Sequence, residues 1–435
     1  MKFSDFGKKT KDFFVNGTNS VKNSAVSFAN KVKTYDYKSL PSKTKVAATS
    51  NSAIKLYSSL ACIIISVIIG FLILIFMDSS NVMREFATML LGGTNYGSAH
   101  FFSILANAAP LLCCGLSIVF ANKTGMFNIG VAGQYTIGIL GSLMFALQFN
   151  MPWYVCVLAA VVFGAIWGVI PGVLKAYLNV SEVLSGIMLN WIALFFTNYS
   201  FQTYLSSCVN AVQGMKTYNI SMKNPSALLP QVGSQSYFTI AIFIAIIVAI
   251  FIAFILKKTT LGFQLKASGL NKDATKYAGM NEKRNIIVSL AISGSLAALG
   301  ASLFYLAGLE QYDVQASSAL KQLPWNGIVV AFVGQLSPVG TIFATLFTSW
   351  ITHGAQMMLQ TSYPFEIADI ITSIIVYLSG LTGLVIVLVN KHVFKNKAKK
   401  EELALQAANA DTPVSSQEIT ENIIPDNANE KGGKE

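Results

Sequence analysis

Apolar residues along this chain come in long blocks separated by short polar breaks. Read in windows of about 19 residues, the blocks predict membrane-spanning helices near 56–77, 101–121, 126–148, 153–174, 183–204, 237–256, 285–307, 323–337, 341–360 and 370–390. Residues 124–174 and 322–365 contain no Asp, Glu, Lys or Arg. A hydrocarbon core of about 30 Å takes about 20 apolar residues per helix, so each of these stretches holds two spans. The block 323–337 is short and closes on Ser337-Pro338-Val339-Gly340, a turn signal, and reads as a half-helix or a tilted span. The fold class is therefore an all-α polytopic membrane protein with about ten transmembrane helices.

Composition sharpens this reading. Of 435 residues, 53% are hydrophobic and 12% charged, against about 25% charged in soluble domains. A soluble fold with buried helices would need charged outer faces that the blocks lack. Some fifty-five polar, Lys-rich residues precede the first apolar block, unlike a secretory signal, so the first span reads as an uncleaved anchor.

The charges also orient the chain. With a cytoplasmic N-terminus and ten spans, the inside receives 27 of the 31 Lys and Arg residues: eleven in 1–55, Lys123, Lys175, seven in 257–284 and seven after 390. The outside keeps Arg84, Lys216, Lys223 and Lys321. This is the bias expected of a membrane protein, and it counts 323–337 as crossing and puts the C-terminus inside. The net charge of +11 thus points to anionic lipid headgroups and not to nucleic acid. Three regions follow: a basic cytoplasmic arm over 1–55, a membrane domain over 56–390 with a cytoplasmic loop at 257–284, and a largely disordered cytoplasmic tail over 391–435. In the arm, Val21, Ala25, Phe28 and Val32 keep helical spacing beside Lys22, Lys31 and Lys33; a helix on the membrane surface and a disordered arm both fit.

Ten spans divide into five and five, and an odd number per half makes any internal repeat an inverted one. Phe127-Asn128-Ile129-Gly130 leading to Gly133-Gln134, and Trp325-Asn326-Gly327-Ile328 leading to Gly334-Gln335, are the weak sequence signs of it.

Candidate chemistry is polar and uncharged. Asn107, Asn128, Gln134, Asn190, Asn326 and Gln335 lie within spans, and amides donate and accept at once, which suits a neutral polyol or the edge of a nucleobase. The same amides also hold helices together. Phe127 and Trp325 offer rings for stacking, or for packing. No acid or base falls at a span centre, since Glu182, Glu366 and Asp369 lie near span ends, whereas ion relays place charges deep in the membrane. There is no GxxxxGK[ST] phosphate loop and no nucleophile–base grouping, so the chain reads as no enzyme. The five cysteines show no metal spacing and read as small hydrophobes. His100, His353 and His392 stand apart in the sequence, and no metal or other cofactor is expected.

The loop 257–284 carries a helix signal: Asn271 can cap a short helix through Ala274 to Ala278, and Gly279 can end it. Such a helix can dock a partner or simply connect two spans.

Several motifs together resemble a known family. Lys266-Ala267-Ser268-Gly269 with Asn271, Ala274, Tyr277, Ala278 and Gly279 is similar to the cytoplasmic coupling segment of ATP-binding-cassette (ABC) permeases of the branched-chain amino acid/ribose type. Ser293-Gly294 through Ala301, Phe127 through Gln134, and Trp325 through Ala331 with Pro338-Val339-Gly340 resemble its other motifs. Ser181-Glu182-Val183 and Ile187 through Ala193 look like the subgroup that imports nucleosides or simple sugars. The resemblance covers about residues 56–390; Thr275 departs from the family's Ala, and the N-terminal arm is longer than the family's.

The resemblance implies one permease subunit of an importer in a bacterial cell membrane, working by alternating access. A separate ATPase would touch Lys266, Ala267, Gly269, Asn271, Ala274, Tyr277 and Gly279. A second permease chain, different from this one, would complete the pathway, and an extracytoplasmic lipoprotein would deliver a nucleoside. The alternatives are the same architecture carrying ribose, galactose or a similar sugar, and an ion-coupled transporter that works alone.

Overall fold

In hydrocarbon, water does not drive helices together, so close packing depends on small residues that let backbones meet. The computed structural model describes residues 64–76, 82–92, 94, 97, 99–210, 215–233, 238–314, 319–358 and, singly, 370, 373, 374 and 377. All of them belong to a unit spanning Met1–Ile386. The N-terminal arm, the start of the first predicted span, most of the tenth and the tail lie outside the described residues.

The described residues are mostly helical: α1 (Ile64–Phe76), α2 (Val82–Leu90), α3 (Ala99–Lys123), α4 (Val131–Leu147), α5 (Trp153–Leu178), α6 (Glu182–Thr203), α7 (Ile220–Lys223), α8 (Ala241–Lys258), α9 (Thr260–Leu270), α10 (Lys272–Tyr277), α11 (Glu282–Tyr305), α12 (Leu323–Val333) and α13 (Pro338–Met358). Helices α3, α5, α6, α8 and α11 are long and apolar enough to cross a membrane. Helix α12 has 11 residues, about 16 Å at 1.5 Å per residue, or about half the hydrocarbon thickness. Pro324 sits in its first turn and Gly334 follows its end. Gln335 and Leu336 then take positive φ, 55° and 50°, in the turn to α13.

Helix α11 is the centre of the bundle, packed against α3, α4 and α5. Its tightest partner is α5, where Gly164, Gly168 and Gly172 recur every four residues. A Cβ on Gly164 would lie 2.3 Å from Ala298 Cβ, and one on Gly168 would lie 2.3 Å from the Leu290 carbonyl oxygen. One on Gly172 would lie 2.9 Å from Ile287 Cα. As α5 advances its α11 neighbours step backwards, so the two helices are antiparallel. Gln134 and Gly138 of α4 meet Gly294 and Ala298 in the same order, so α4 runs parallel to α11. These directions are those of successive traversals.

The outward surfaces are apolar. Leu184, Met188, Trp191, Phe195 and Tyr199 line one face of α6, and Phe243, Ile247, Ile250 and Phe254 are exposed on α8. Patches of this extent are rare on soluble monomers and suit contact with lipid chains. Lys123, Lys175, Lys257 and Lys258 close helices at one end of the bundle, here the basic end, where Lys175 Nζ meets Glu182 Oε2 at 2.8 Å across the α5–α6 turn.

At the other end the chain is not purely helical. Val209–Asn210 pairs antiparallel with Lys216–Thr217, and this segment folds onto the bundle through Thr217 N to Tyr312 O and Leu229 N to Leu306 O, both 2.9 Å. Asn224 Nδ2 donates to the carbonyls of Ala146 and Met151 at 2.9 and 3.0 Å, the first a group left open in the last turn of α4 and the second in the connection to α5.

One sequence expectation needs correcting. His100 and His353 do not stand apart: His100 Nδ1 lies 3.3 Å from His353 Nε2. Their separation of 253 residues hid this, because the contact exists only where α3 and α13 run antiparallel. Among the described residues, no group of three or more His, Cys, Asp or Glu is placed to hold a metal. The four described cysteines are buried and unpaired.

Gly168→Val should destabilise the fold by about 3 kcal/mol through forced separation of α5 and α11, read as a lower thermal unfolding midpoint in detergent. Val162→Leu, on the exposed face of the same helix, should leave the midpoint unchanged.

Candidate functional site

Between α3 and α4 the chain leaves helical geometry over 124–130. Irregular backbone at membrane depth is stable only where protein covers it, and here the bundle does. Asn128, 3% exposed, is the node. Its two amide hydrogens go to Gln134 Oε1 at 2.6 Å and Ser293 Oγ at 2.7 Å. Ser117 Oγ lies 2.9 Å from Ser293 Oγ, and Ser293 Oγ also reaches the Ser117 carbonyl at 2.8 Å. A second staple comes from Asn190 of α6. Its Oδ1 accepts from Gly133 N at 2.7 Å, and its Nδ2 donates to Ile129 O at 3.0 Å. Three of the sequence-predicted amides, Asn128, Gln134 and Asn190, therefore join α3, α4, α6 and α11. In this conformation they bond to one another and to backbone.

The remaining candidates are not in that network. Asn107 Nδ2 donates to Ser103 O of its own helix at 2.9 Å. Phe127 is half-buried beside the node. Trp325 and Asn326 lie in the first turns of α12, half-buried, with Gln322 Nε2 at 3.5 Å from Asn326 Oδ1. Gln335 sits in the left-handed turn after α12, and its Nε2 is buried without a protein partner among the described residues. The two look-alike motifs thus have unlike local structure. Gln134 lies in the first turn of a helix, whereas Gln335 follows the end of one.

The basic end holds the second set. Thr259 Oγ1 accepts from Gly262 N at 3.0 Å and starts α9. Asn271 Oδ1 accepts from Ala274 N at 3.0 Å and starts α10, the short helix expected from the sequence. Gly279, at φ 75°, follows its end. Thr275 is buried and donates to Asn271 O at 2.8 Å, so the hydroxyl at this family-atypical position is satisfied within its own turn. Asn271, Ala274, Tyr277 and Gly279 face solvent, while Lys266, Ala267 and Gly269 are half-buried. Tyr277 is 92% exposed and Leu270 89%, two large apolar side chains held out on a polar surface.

These two sets are joined. A Cβ on Gly125 would lie 2.2 Å from Gly269 Cα, and a Cβ on Gly269 would lie 2.4 Å from Thr124 O. Gly125 also has φ 76°, so glycine is required there both for space and for conformation. Asn285 Nδ2 donates to Ser268 Oγ at 2.7 Å, and Thr124 and Ser289 share a hydroxyl–hydroxyl hydrogen bond. The end of α9 thus rests on the turn that carries Asn128 three residues later. Sequence reasoning missed Ser117, Thr124, Gly125, Ser289 and Gly168. The four-residue glycine spacing in α5 was the available signal, and Gly125 stands two residues before the Phe127 motif.

Residues 100–387 match the model of a family described as the permease component of branched-chain amino acid transport systems. The chain belongs to that permease family. The permease is 35% identical to a nucleoside ABC transporter permease of Lactococcus lactis, NupB, over 66% of this chain and 80% of that protein. It is also 35% identical to a guanosine ABC transporter permease of Bacillus subtilis, NupP, over 61% and 77%. A glucose ABC transporter permease of Haloferax volcanii, TsgB13, is 28% identical over 63% and 74%. No solved structure matches the chain. The permease is a multi-pass integral protein of the plasma membrane, a transport component and not an enzyme.

Asn128→Ala should lower stability by about 1–3 kcal/mol by leaving buried partners unpaired, measured by thermal unfolding in detergent. Asn128→Asp, nearly isosteric, should lose more because it buries a charge at the same point.

Proposed function

We propose that the permease forms half of the transmembrane pathway of an ABC importer for nucleosides. The observation that carries this reading is its similarity, at 35% identity over more than three quarters of each relative, to permeases named for nucleoside and guanosine transport. The uncharged, amide-rich interior supports it, because a neutral nucleoside gains from groups that both donate and accept and needs no counter-charge.

In this reading the chain crosses the membrane ten times, five per half in inverted relation, with both termini and the basic end in the cytoplasm. A separate ATPase docks on α9 and α10, with Tyr277 and Leu270 as the exposed contacts. A second permease chain, different from this one, completes the pathway, and an extracytoplasmic lipoprotein delivers the ligand. Movement of α9 acts on Gly125 through Gly269 and so on the Asn128 turn. Asn107, Phe127, Trp325, Asn326 and Gln335 then line the pathway in a conformation that opens beside this turn. ATP binding biases a two-state membrane domain only by favouring one state over the other, and the glycine joint is where that bias enters.

The second reading is the same machine carrying a simple sugar, favoured by the similarity to a glucose permease. Binding of radiolabelled nucleosides and of glucose, ribose and galactose to the partner lipoprotein separates the two: preference for a sugar would overturn the nucleoside reading. A transporter driven by an ion gradient would instead accumulate solute with the purified chain alone in vesicles.

Gly125→Val and Gly269→Val should leave membrane insertion intact, keep ATP hydrolysis by the reconstituted complex within about twofold, and reduce nucleoside uptake at least about tenfold. A tenfold loss corresponds to about 1.4 kcal/mol, a modest demand on a joint with no room for a side chain. Coupled uptake at the wild-type rate would refute the role given to the joint.

A further inference from the structure

At the end of the bundle opposite the coupling segment, a cavity of about 230 Å³ opens between the last turn of α11, the strand and turn at 217–220 and the turn at 308–311. Tyr305 lines it. That residue is 1% exposed, and its hydroxyl has no protein partner among the described residues. Around it stand Tyr218, Asn219, Glu310 and Gln311, with Leu143 and Leu309 as apolar wall. Tyr218, Asn219 and Gln311 also border a wider depression of about 630 Å³.

We propose that this cavity is a nucleoside subsite on the extracytoplasmic face, with the ribose ring inside against Tyr305 and the base in the outer depression against Tyr218. The proposal rests on the nucleoside reading above and adds a site to it. None of these residues belongs to the amide network or to the coupling segment.

The chemistry selects the ligand class. Asn219 Oδ1 already accepts from Ser221 N and Oγ at 3.0 and 2.8 Å, which leaves its Nδ2 hydrogens to donate. Glu310 Oε1 is held by Lys321 Nζ at 2.6 Å, so this pair adds little net charge, while its second oxygen can accept. Tyr305 supplies a hydroxyl that both donates and accepts. Donors and acceptors of this kind match the hydroxyls of a furanose; no cation lines the cavity itself, and Lys223 at the depression is already held by the Ser207 carbonyl and the Tyr218 ring. The chamber is smaller than the 300–1,000 Å³ typical of whole-ligand pockets, so it takes one ring and leaves the second to the depression. There Lys223 Nζ takes one face of the Tyr218 ring, 4.9 Å from its centroid, and the rest of the ring, which is 38% exposed, is what a base meets. Nearby, Tyr312 donates to Asn198 Oδ1 at 2.8 Å. Burial first, and then the Asp313 carboxylate, raise the Tyr312 phenol above its ordinary range, so it stays protonated and holds the 308–314 turn against α6.

The test measures equilibrium binding of tritiated guanosine, uridine and glucose to the full chain, in lipid nanodiscs with its co-purified partners but without the lipoprotein. Tyr305→Phe should weaken nucleoside binding about three- to tenfold, the range of one neutral hydrogen bond. It should leave the thermal unfolding midpoint unchanged or raised, because the hydroxyl it removes makes no protein contact. Asn219→Ala should weaken binding similarly, and 2′- or 3′-deoxy analogues should lose their disadvantage in the Tyr305→Phe chain. Nucleoside binding untouched by both substitutions would overturn the subsite while leaving the transport reading standing. So would absence of binding in a complex that still imports nucleosides once the lipoprotein is added. Glucose binding and glucose import without nucleoside import would overturn the transport reading, and the subsite with it.

Discussion

The packing of α11 against α5 is the contact on which the interior depends. Three glycines on α5 meet the backbone of α11 directly, at Gly294, Leu290 and Ile287, with the Ala298 methyl group as the one close side chain, and this brings the middle of α11 close to α3 and α4. Only then can Ser293 reach both Ser117 and Asn128. In water a looser arrangement would be tolerated, because solvent would satisfy the amides. Inside hydrocarbon an unpaired amide or hydroxyl costs several kcal/mol, so the glycine contact and the hydrogen-bond node stabilise each other. Either one without the other would leave polar atoms stranded.

The same logic explains how a chain with almost no buried charge can respond to a distant partner. Among the described residues, the node that joins α3, α4, α6 and α11 is built from amides and hydroxyls and holds no acid or base. In the proposed mechanism the response enters as displacement, and displacement is transmitted best where atoms touch without slack. At Gly125 and Gly269 there is no side chain to absorb motion, and on either side Asn285 with Ser268 and Thr124 with Ser289 tie α11 to both partners. The joint therefore couples α9 to α11 directly as well as through the α3–α4 turn.

Much of this was legible in the sequence, for identifiable reasons. The positions of α3, α5, α6, α8 and α11 follow from apolar block length, which the bilayer fixes. The short helix α10 follows from Asn271 and Gly279, local signals that act within one turn. The halved length of α12 follows from Pro324 and the Ser337–Gly340 turn. What stayed hidden was pairing across the bundle. No local pattern brings His100 to His353, and none shows whether Asn128 bonds to a neighbour or faces a pathway. The likeness of the Asn128 and Asn326 motifs even suggested equal local structure, yet one amide is saturated in a covered turn and the other is half-buried at a helix start. The antiparallel strand pair near Lys216 was missed because two residues per strand leave no alternation to read.

Helix α11 contributes to each of these regions. Asn285 holds the end of α9, Ser289 and Ser293 hold the α3–α4 turn, and Tyr305, twenty residues beyond Asn285, lines the cavity at the far end. At 1.5 Å per residue those ends are about 30 Å apart, roughly the thickness of the hydrocarbon core. A buried helix packed on three sides shifts as a unit more readily than it bends, since bending would break its own hydrogen bonds. A ligand bound more tightly at Tyr305 in one position of α11 would therefore favour that position at the Gly125–Gly269 joint. By linkage, the state imposed at the joint alters affinity at Tyr305 by the same factor. On the proposed reading, occupancy outside and nucleotide state inside would be two readings of a single displacement, and α11 would need no charge to carry it.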